Sequence, residues 1–285
     1  LTKARQQTSK LMKGGYAVET SVRHIADGLG LQVAEAGSGE LVLALHGLGG
    51  FDAMGDWLER LASKHRIVAP MLPGFGGPDA PDWVNTVDDL ALVVDDLVRN
   101  LQVDDVTLTG LSLGGWVAAE LAVRRPGWLR RLVLVDALGI KTGPPDHRDI
   151  ADLWAHGPDT LPGIFFHDVA LGERHFTTAG VAVAELEERA RFDEGVVRYG
   201  WEPYMHNPKL RSRLNRIDVP TLVVWGEDDR FVSPEYGREF AGAISGAEFV
   251  IVDDAGHLPE VEQPARLAEV IANFIGRHEI RSTTR

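Results

Sequence analysis

The sequence predicts an α/β protein: a mostly parallel sheet flanked by helices, with a helical segment inserted between two of the strands. Three features of its 285 residues lead there. Short, nearly continuous Val/Leu/Ile runs recur along the chain, as strands buried on both faces of a parallel sheet require. Helical patterns separate these runs, and such alternation builds a layered domain through right-handed crossovers. Residues 140–216 break the rhythm, containing no strand-like run.

Taken in order, residues 1–15 (LTKARQQTSKLMKGG) carry Lys3, Arg5, Lys10 and Lys13 without the apolar segment of a secretory signal. They read as a solvated tail. YAVETSVRHIA and LGLQVAEAG alternate apolar with polar and meet at Asp27-Gly28, the signal of a hairpin at an antiparallel edge. Strands then follow at 41–47, 66–74, 106–112, 129–139, 220–227 and 247–256, with helices near 53–64, 87–101, 113–125, 234–243 and 264–277. The expected organisation is a core of residues 16–139 and 217–277, with a second tail at 278–285. Within 140–216, DIADLWAHG, GVAVAELEERARF and WEPYMHNPKLRSRL read as short helices set off by Pro and Gly. A segment that long exceeds an ordinary loop, so a cap over a functional site is expected.

Composition removes several function classes. With 44% hydrophobic and 25% charged residues the chain is globular, and a net charge of −13 disfavours nucleic acid or an anionic membrane as partner. The absence of Cys removes disulfides, thiol nucleophiles and Cys-based zinc sites. The ten His include no H-E-x-x-H pair, and no G-x-G-x-x-G is present, so neither a metal nor a dinucleotide cofactor is expected. No apolar run approaches the ~20 residues that span a bilayer, which leaves the cytoplasm as the expected location. No heptad pattern reads out an oligomeric state.

The stretch TLTGLSLGGWVAAELA, residues 107–122, places Ser112 between Gly110 and Gly114 where a strand meets a helix. Glycine is costly inside regular elements, so a local need must explain it. G-x-S-x-G at a strand-to-helix turn is a nucleophile elbow, in which small flanks let strand and helix approach and the Ser occupies a strained backbone. A Ser hydroxyl is a weak nucleophile that needs a base oriented by an acid. In this fold the partners follow in the order Ser, acid, His. GEDDRFV offers Asp228 and Asp229 just after a strand, and GHLPEVEQP offers His257 just after the next. Both lie beyond the carboxyl ends of strands, where such sheets carry their sites.

Together HGLGG, PGFGG, GLSLGG, GEDDRFV and GHLPEVEQP resemble the α/β-hydrolase superfamily over about residues 16–277. The resemblance implies Asp229 as the acid, with Asp228 as fallback and Asp136, at the end of LVLVD, as an alternative. It implies backbone oxyanion donors at Leu48 and Leu113. His46 then reads as a structural loop residue, and PGFGG as a loop of structural role.

A Ser nucleophile sets aside the haloalkane dehalogenases and epoxide hydrolases, which use a carboxylate there. The expected activity is cleavage of carboxylic esters of small to medium, largely apolar substrates through a Ser-His-Asp triad and an acyl-enzyme. The alternative is a carbon–carbon hydrolase acting on meta-cleavage products of aromatic degradation, which GEDDRFVSPEYG resembles. Leu258 stands where that family has Trp, and HGLGGFDA lacks its Gly-Pro-Gly loop. A remoter alternative is a non-catalytic receptor for a small ligand. Trp154, Phe165, Phe166, Trp201 and Tyr204 are the candidates for an apolar substrate pocket.

Overall fold

The computed structural model of the protein describes residues 9–13, 16–26, 28–47, 50, 55–144 and 146–279. Nine strands form one sheet among them: β1 (Ser9–Lys13), β2 (Tyr16–Ala26), β3 (Leu29–Ala36), β4 (Leu41–Leu45), β5 (Arg66–Pro70), β6 (Val106–Leu111), β7 (Leu129–Val135), β8 (Thr221–Gly226) and β9 (Glu248–Val252). Their order is β1-β2-β3-β5-β4-β6-β7-β8-β9. The pairs from β1 to β5 through β3 are antiparallel, and those from β5 through β4 to β9 are parallel. From β4 the chain crosses to one side to make β5 and returns to the other to make β6. The loops leaving β4 and β6 therefore diverge, opening a crevice at the point where the winding reverses.

The central strands read as unbroken apolar runs because both faces are covered. Leu41, Leu43 and Leu45 of β4 join one core with Leu108 and Val223, under α2 (Val87–Leu101), α3 (Leu113–Ala122) and α7 (Pro234–Gly242). Val42 and Ala44 join the other with Val133 and Val224, under α1 (Gly55–Ala62) and α9 (Pro264–Arg277). Strand β3, paired with β2 and β5 in the antiparallel part of the sheet, alternates buried with half-buried positions, as a strand wet on one face does. Helix α2 starts at Thr86, whose hydroxyl accepts from Asp89 N while Asp89 accepts from Thr86 N. This capping box fixes the boundary seen in the sequence. Asp95, further along the same helix, accepts from Trp128 Nε1 at 2.7 Å.

Two expectations need correction. Ser9–Lys13, assigned to the tail, pairs antiparallel with β2, whose eleven residues supply an edge to receive it. Gly14-Gly15 between the two strands is a hairpin signal that the sequence carries. Within 140–216 the segment DIADLWAHG forms turns rather than a helix, because the short run ahead of Gly157 and Pro158 does not offset the cost of nucleation. Helices α4 (Leu161–Phe165), α5 (Val169–Phe176) and α6 (Val183–Gly200) follow it. α5 is capped by Asp168, which accepts from Leu171 N at 3.1 Å. WEPYMHNPKLRSRL likewise becomes turns ending in a 3-10 turn at Arg211–Arg216, with Pro203 and Pro208 unable to donate to a helix. A four-residue helix, α8 (Pro259–Glu262), was not foreseen. Asp27, at the expected hairpin, lies outside the described residues, while Gly28 takes φ +74°.

Candidate active site

Strand β6 ends at Leu111 and α3 begins at Leu113, so Ser112 makes the whole turn. It does so at φ +49° and ψ −114°, a region L residues seldom occupy. The turn is held by Ser112 N–H donating to Val135 O (2.9 Å) and by Ser112 O accepting from Trp116 and Leu138 (3.1 Å each). The glycines answer to close approach. A Cβ at Gly110 would strike the Gly114 carbonyl, and one at Gly114 would lie 2.5 Å from Leu45 O. Gly47, on the diverging loop after β4, passes so near that a Cβ there would lie 2.9 Å from Ser112 Cβ.

Around that turn the sheet delivers the other side chains. Ser112 Oγ donates to His257 Nε2 at 2.9 Å, and His257 Nδ1–H donates to Asp229 Oδ2 at 2.8 Å. The carboxylate can only accept, which places the imidazole proton on Nδ1 and leaves Nε2 as the base. Asp229 Oδ1 in turn accepts from Phe231 N (2.9 Å) and Val232 N (2.8 Å). All three side chains are buried, Ser112 at 2% exposure. Asp228, the neighbouring carboxylate, turns outward to His167 Nδ1 (2.6 Å) and Arg230. The hydrogen bond to Asp228 holds the His167 imidazole above its usual range.

Leu113, an expected donor, opens α3, where the first backbone N–H groups have no intrahelical acceptor. Leu48, the other expected donor, lies outside the described residues. His46 beside it is buried, and burial pushes its imidazole down to about 4. It stays neutral, pairs through Nδ1 with Gly47 O (2.8 Å) and accepts from Leu72 N (2.9 Å) at Nε2, so it ties the β4 loop to the loop after β5.

The residues expected to line a pocket separate. Phe165 packs edge-on against His257 (5.5 Å between centroids), and its carbonyl accepts from His257 N at 2.7 Å. Phe166 is fully buried between His175 and Phe176. Tyr204 spends its hydroxyl on Ala151 O and Leu153 N, both 2.9 Å. Trp154 and Trp201 are 47% and 56% exposed and lean on each other with centroids 6.4 Å apart. Sequence reasoning missed three aromatic neighbours. Phe231 stands 4.7 Å from His257, and its place two residues after Asp229 was a usable signal. Phe75, in PGFGG, meets His46 edge-on at 5.3 Å, and Phe192 of α6 packs over Gly50 and His46. Nothing in the sequence around Phe192 marks it.

Glu262 was also missed. Its carboxylate accepts from Gly256 N (2.6 Å), His167 N (3.2 Å) and Asp168 N (2.8 Å), tying the loop that carries His257 to the inserted segment. Asp136, Asp229 and His257 each bring one potential ligand atom to within 4.8 Å of the others. The hydrogen bonds above already engage His257 at both ring nitrogens, so the cluster needs no cation to account for it.

The family model described as "Alpha/beta hydrolase family" matches residues 41–270. The chain belongs to that family. It is 26% identical over 271 residues to the 2-hydroxymuconate semialdehyde hydrolase of Pseudomonas sp. (strain CF600), covering 88% of this hydrolase and 92% of that one. A solved membrane phospholipase A, described as a bacterial virulence factor, superposes with TM-score 0.73 at 26% identity, over 91% of this chain and 86% of its own. A thermophilic esterase from Thermogutta terrifontis superposes with TM-score 0.69 at 23% identity, over 97% and 100%, a likeness of fold. No helix among the hydrolase's described residues is long and apolar enough to cross a membrane.

Proposed function

We propose that this hydrolase cleaves carboxylic esters of small to medium, largely apolar substrates, with Ser112 as nucleophile, His257 as base and Asp229 as acid. The observation that carries the reading is the unbroken hydrogen-bonded line from Ser112 Oγ through His257 to Asp229, at 2.9 and 2.8 Å. As Ser112 Oγ attacks the ester carbonyl carbon, His257 Nε2 takes its proton, and the Asp229 carboxylate stabilises the imidazolium. Negative charge then develops on the carbonyl oxygen, where the backbone N–H groups of Leu113 and Leu48 are its donors. His257 returns the proton to the departing alkoxide, releasing the alcohol. Water, deprotonated by the same imidazole, attacks the acyl-Ser112 ester and releases the carboxylic acid. The apolar preference is supported by the rings of Phe165 and Phe231 against His257. Residues 140–216 act as the cap that sets substrate size, a role supported by Phe165 and Phe192 reaching the His257 and Gly50 loops.

A second reading, hydrolysis of a carbon–carbon bond in a vinylogous diketone, is favoured by the similarity to the 2-hydroxymuconate semialdehyde hydrolase. A p-nitrophenyl ester series from acetate to octanoate, run beside a meta-cleavage dienoate on wild type and Ser112→Ala, separates the two. The expected result is ester turnover that falls about 10⁴-fold or more in the variant. Wild-type turnover by Ser112→Ala overturns the nucleophile, and a clear preference for the dienoate installs the second reading.

A further inference from the structure

Asp136 stands against the triad without a part in the chemistry just described. It follows β7 at φ +45°, held there by its N–H donating to Val224 O at 3.0 Å. A strained, buried polar residue is retained where the surroundings over-determine it. Its Oδ1 accepts from Gly226 N at 2.8 Å, on the strand that leads to Asp229. Its Oδ2 is buried and meets no donor. Such an orphan acceptor forfeits the hydrogen bonds it had in water unless a proton converts it into a donor.

The neighbours decide where that proton sits. Asp229 receives three donors, from Phe231 N, Val232 N and His257 Nδ1, whereas Asp136 receives the Gly226 N–H. Two buried carboxylates side by side do not both ionise, and the better-solvated one keeps the charge. Burial first, and the Asp229 charge second, push the Asp136 carboxyl well above the usual carboxylate range. The other titratable groups facing it are His257, within the same 4.8 Å cluster, and Glu260 of α8.

We propose that Asp136 carries a proton on Oδ2, donates it to the Asp229 carboxylate, and is thereby a positioning residue of the triad and the reserve acid for His257. The inference rests on the triad reading above. Protonated, Asp136 satisfies both its own oxygen and the lone pairs of Asp229 that His257 leaves open, which restrains the acid against the base. If Asp229 is replaced by Asn, the repelling charge is gone. Asp136 then ionises and balances the imidazolium from within the same cluster.

Asn has the shape of a protonated Asp and donates from Nδ2, which supplies the test. kcat and KM are measured against pH on the best p-nitrophenyl ester for wild type, Asp136→Ala, Asp136→Asn, Asp229→Asn and the double Asp136→Asn/Asp229→Asn, with Ser112→Ala as the blank. Melting temperatures check that each variant folds. Asp136→Ala is expected to lower kcat about tenfold with KM little changed, and Asp136→Asn to restore most of the loss. Asp229→Asn should keep a residual activity that rises with pH as Asp136 ionises. The double variant should lose that limb and fall at least about tenfold further. A double variant equal to Asp229→Asn overturns the proposal, as does an Asn variant no better than Ala. Activity abolished by a chelator and restored by zinc or manganese also overturns it, by assigning the three groups to a cation. A fully active Ser112→Ala would instead sink the triad reading, whatever the Asp136 variants do.

Discussion

The elbow, residues 106–139, and the inserted segment, residues 140–216, meet at the same site but are built to different tolerances. In the elbow every residue of β6 and α3 is buried, and the approach of α3 to the sheet is limited by backbone atoms, as at Gly110 and Gly114. In the insertion, Trp154, Val169, Val183, Val197 and Trp201 are exposed, while Ile140, Ile150, Phe166, Leu210 and Leu214 are buried in the core that they share with β4 and β6. Phe165 with Glu262 anchors it beside His257, and Phe192 with Tyr199 anchors it beside the loops after β4 and β5. Chemistry tolerates no displacement, whereas recognition of substrates requires a surface that varies. The elbow is limited by backbone against backbone, whereas the insertion meets the core through side chains and leaves several apolar ones exposed.

That contrast breaks first, if it breaks, at the glycines. Gly110→Ala drives a Cβ into the Gly114 carbonyl and should cost about 3 kcal/mol or more, since backbone cannot yield as a side chain can. Gly157→Ala in the insertion meets nothing within 4 Å and should leave the denaturant midpoint within experimental scatter. Similar midpoints for the two variants would erase the distinction. Phe165 is the inserted core residue that also borders the candidate triad, stacked on Phe231 at 4.7 Å and set against His257. Phe165→Ala should therefore cost about 3 kcal/mol and lower kcat as well, and an unchanged stability would group it with the exposed residues of the insertion.

A pH measurement sharpens the account of the core. Glu260 is buried, and burial pushes its carboxyl from 4.5 to about 8. The folded state then holds a proton that the unfolded chain releases, so stability drains away as pH rises from 4.5 to about 8. Glu260→Gln should remove that slope, raising stability by on the order of 2 kcal/mol at pH 8 and leaving it unchanged at pH 4, read from urea curves. His46 works in the opposite direction: its folded value of about 4 lies below 6.5, so stability falls as pH drops through that window, in the variant as in wild type. A Glu260→Gln gain that is the same at both pH values would show that burial of a titrating group is not its source. The smallest effect is expected at the exposed pair. Trp154→Ala and Trp201→Ala should each change stability by less than about 1 kcal/mol and leave kcat/KM nearly unchanged. A tenfold rise in KM for either would place it at the substrate.

Much of the site was legible before the fold was seen, because its signals are local. The elbow glycines, the Asp-Asp pair after a strand and the His after the next strand are each set by a few adjacent residues. The strands of the core announced themselves because burial on both faces leaves unbroken apolar runs. The insertion was read less well, since short helices between Pro and Gly depend on what they pack against. DIADLWAHG has helical residues but no helix, and α5 formed where Asp168 supplied a cap.

By itself, then, the sequence determined the layer architecture and singled out Ser112, His257 and three candidate acids, Asp136, Asp228 and Asp229, since periodicity and turn chemistry act within a few residues. Only the tertiary structure decided that Asp229 and not Asp228 meets His257, that Phe165 and Phe231 rather than Trp154 and Trp201 stand beside it, and that Asp136 abuts the acid. Those outcomes depend on side chains brought together from strands and loops distant in the chain; the resemblance ranked Asp229 above Asp228, and the fold supplies the reason, because Asp229 alone of the two turns inward to His257.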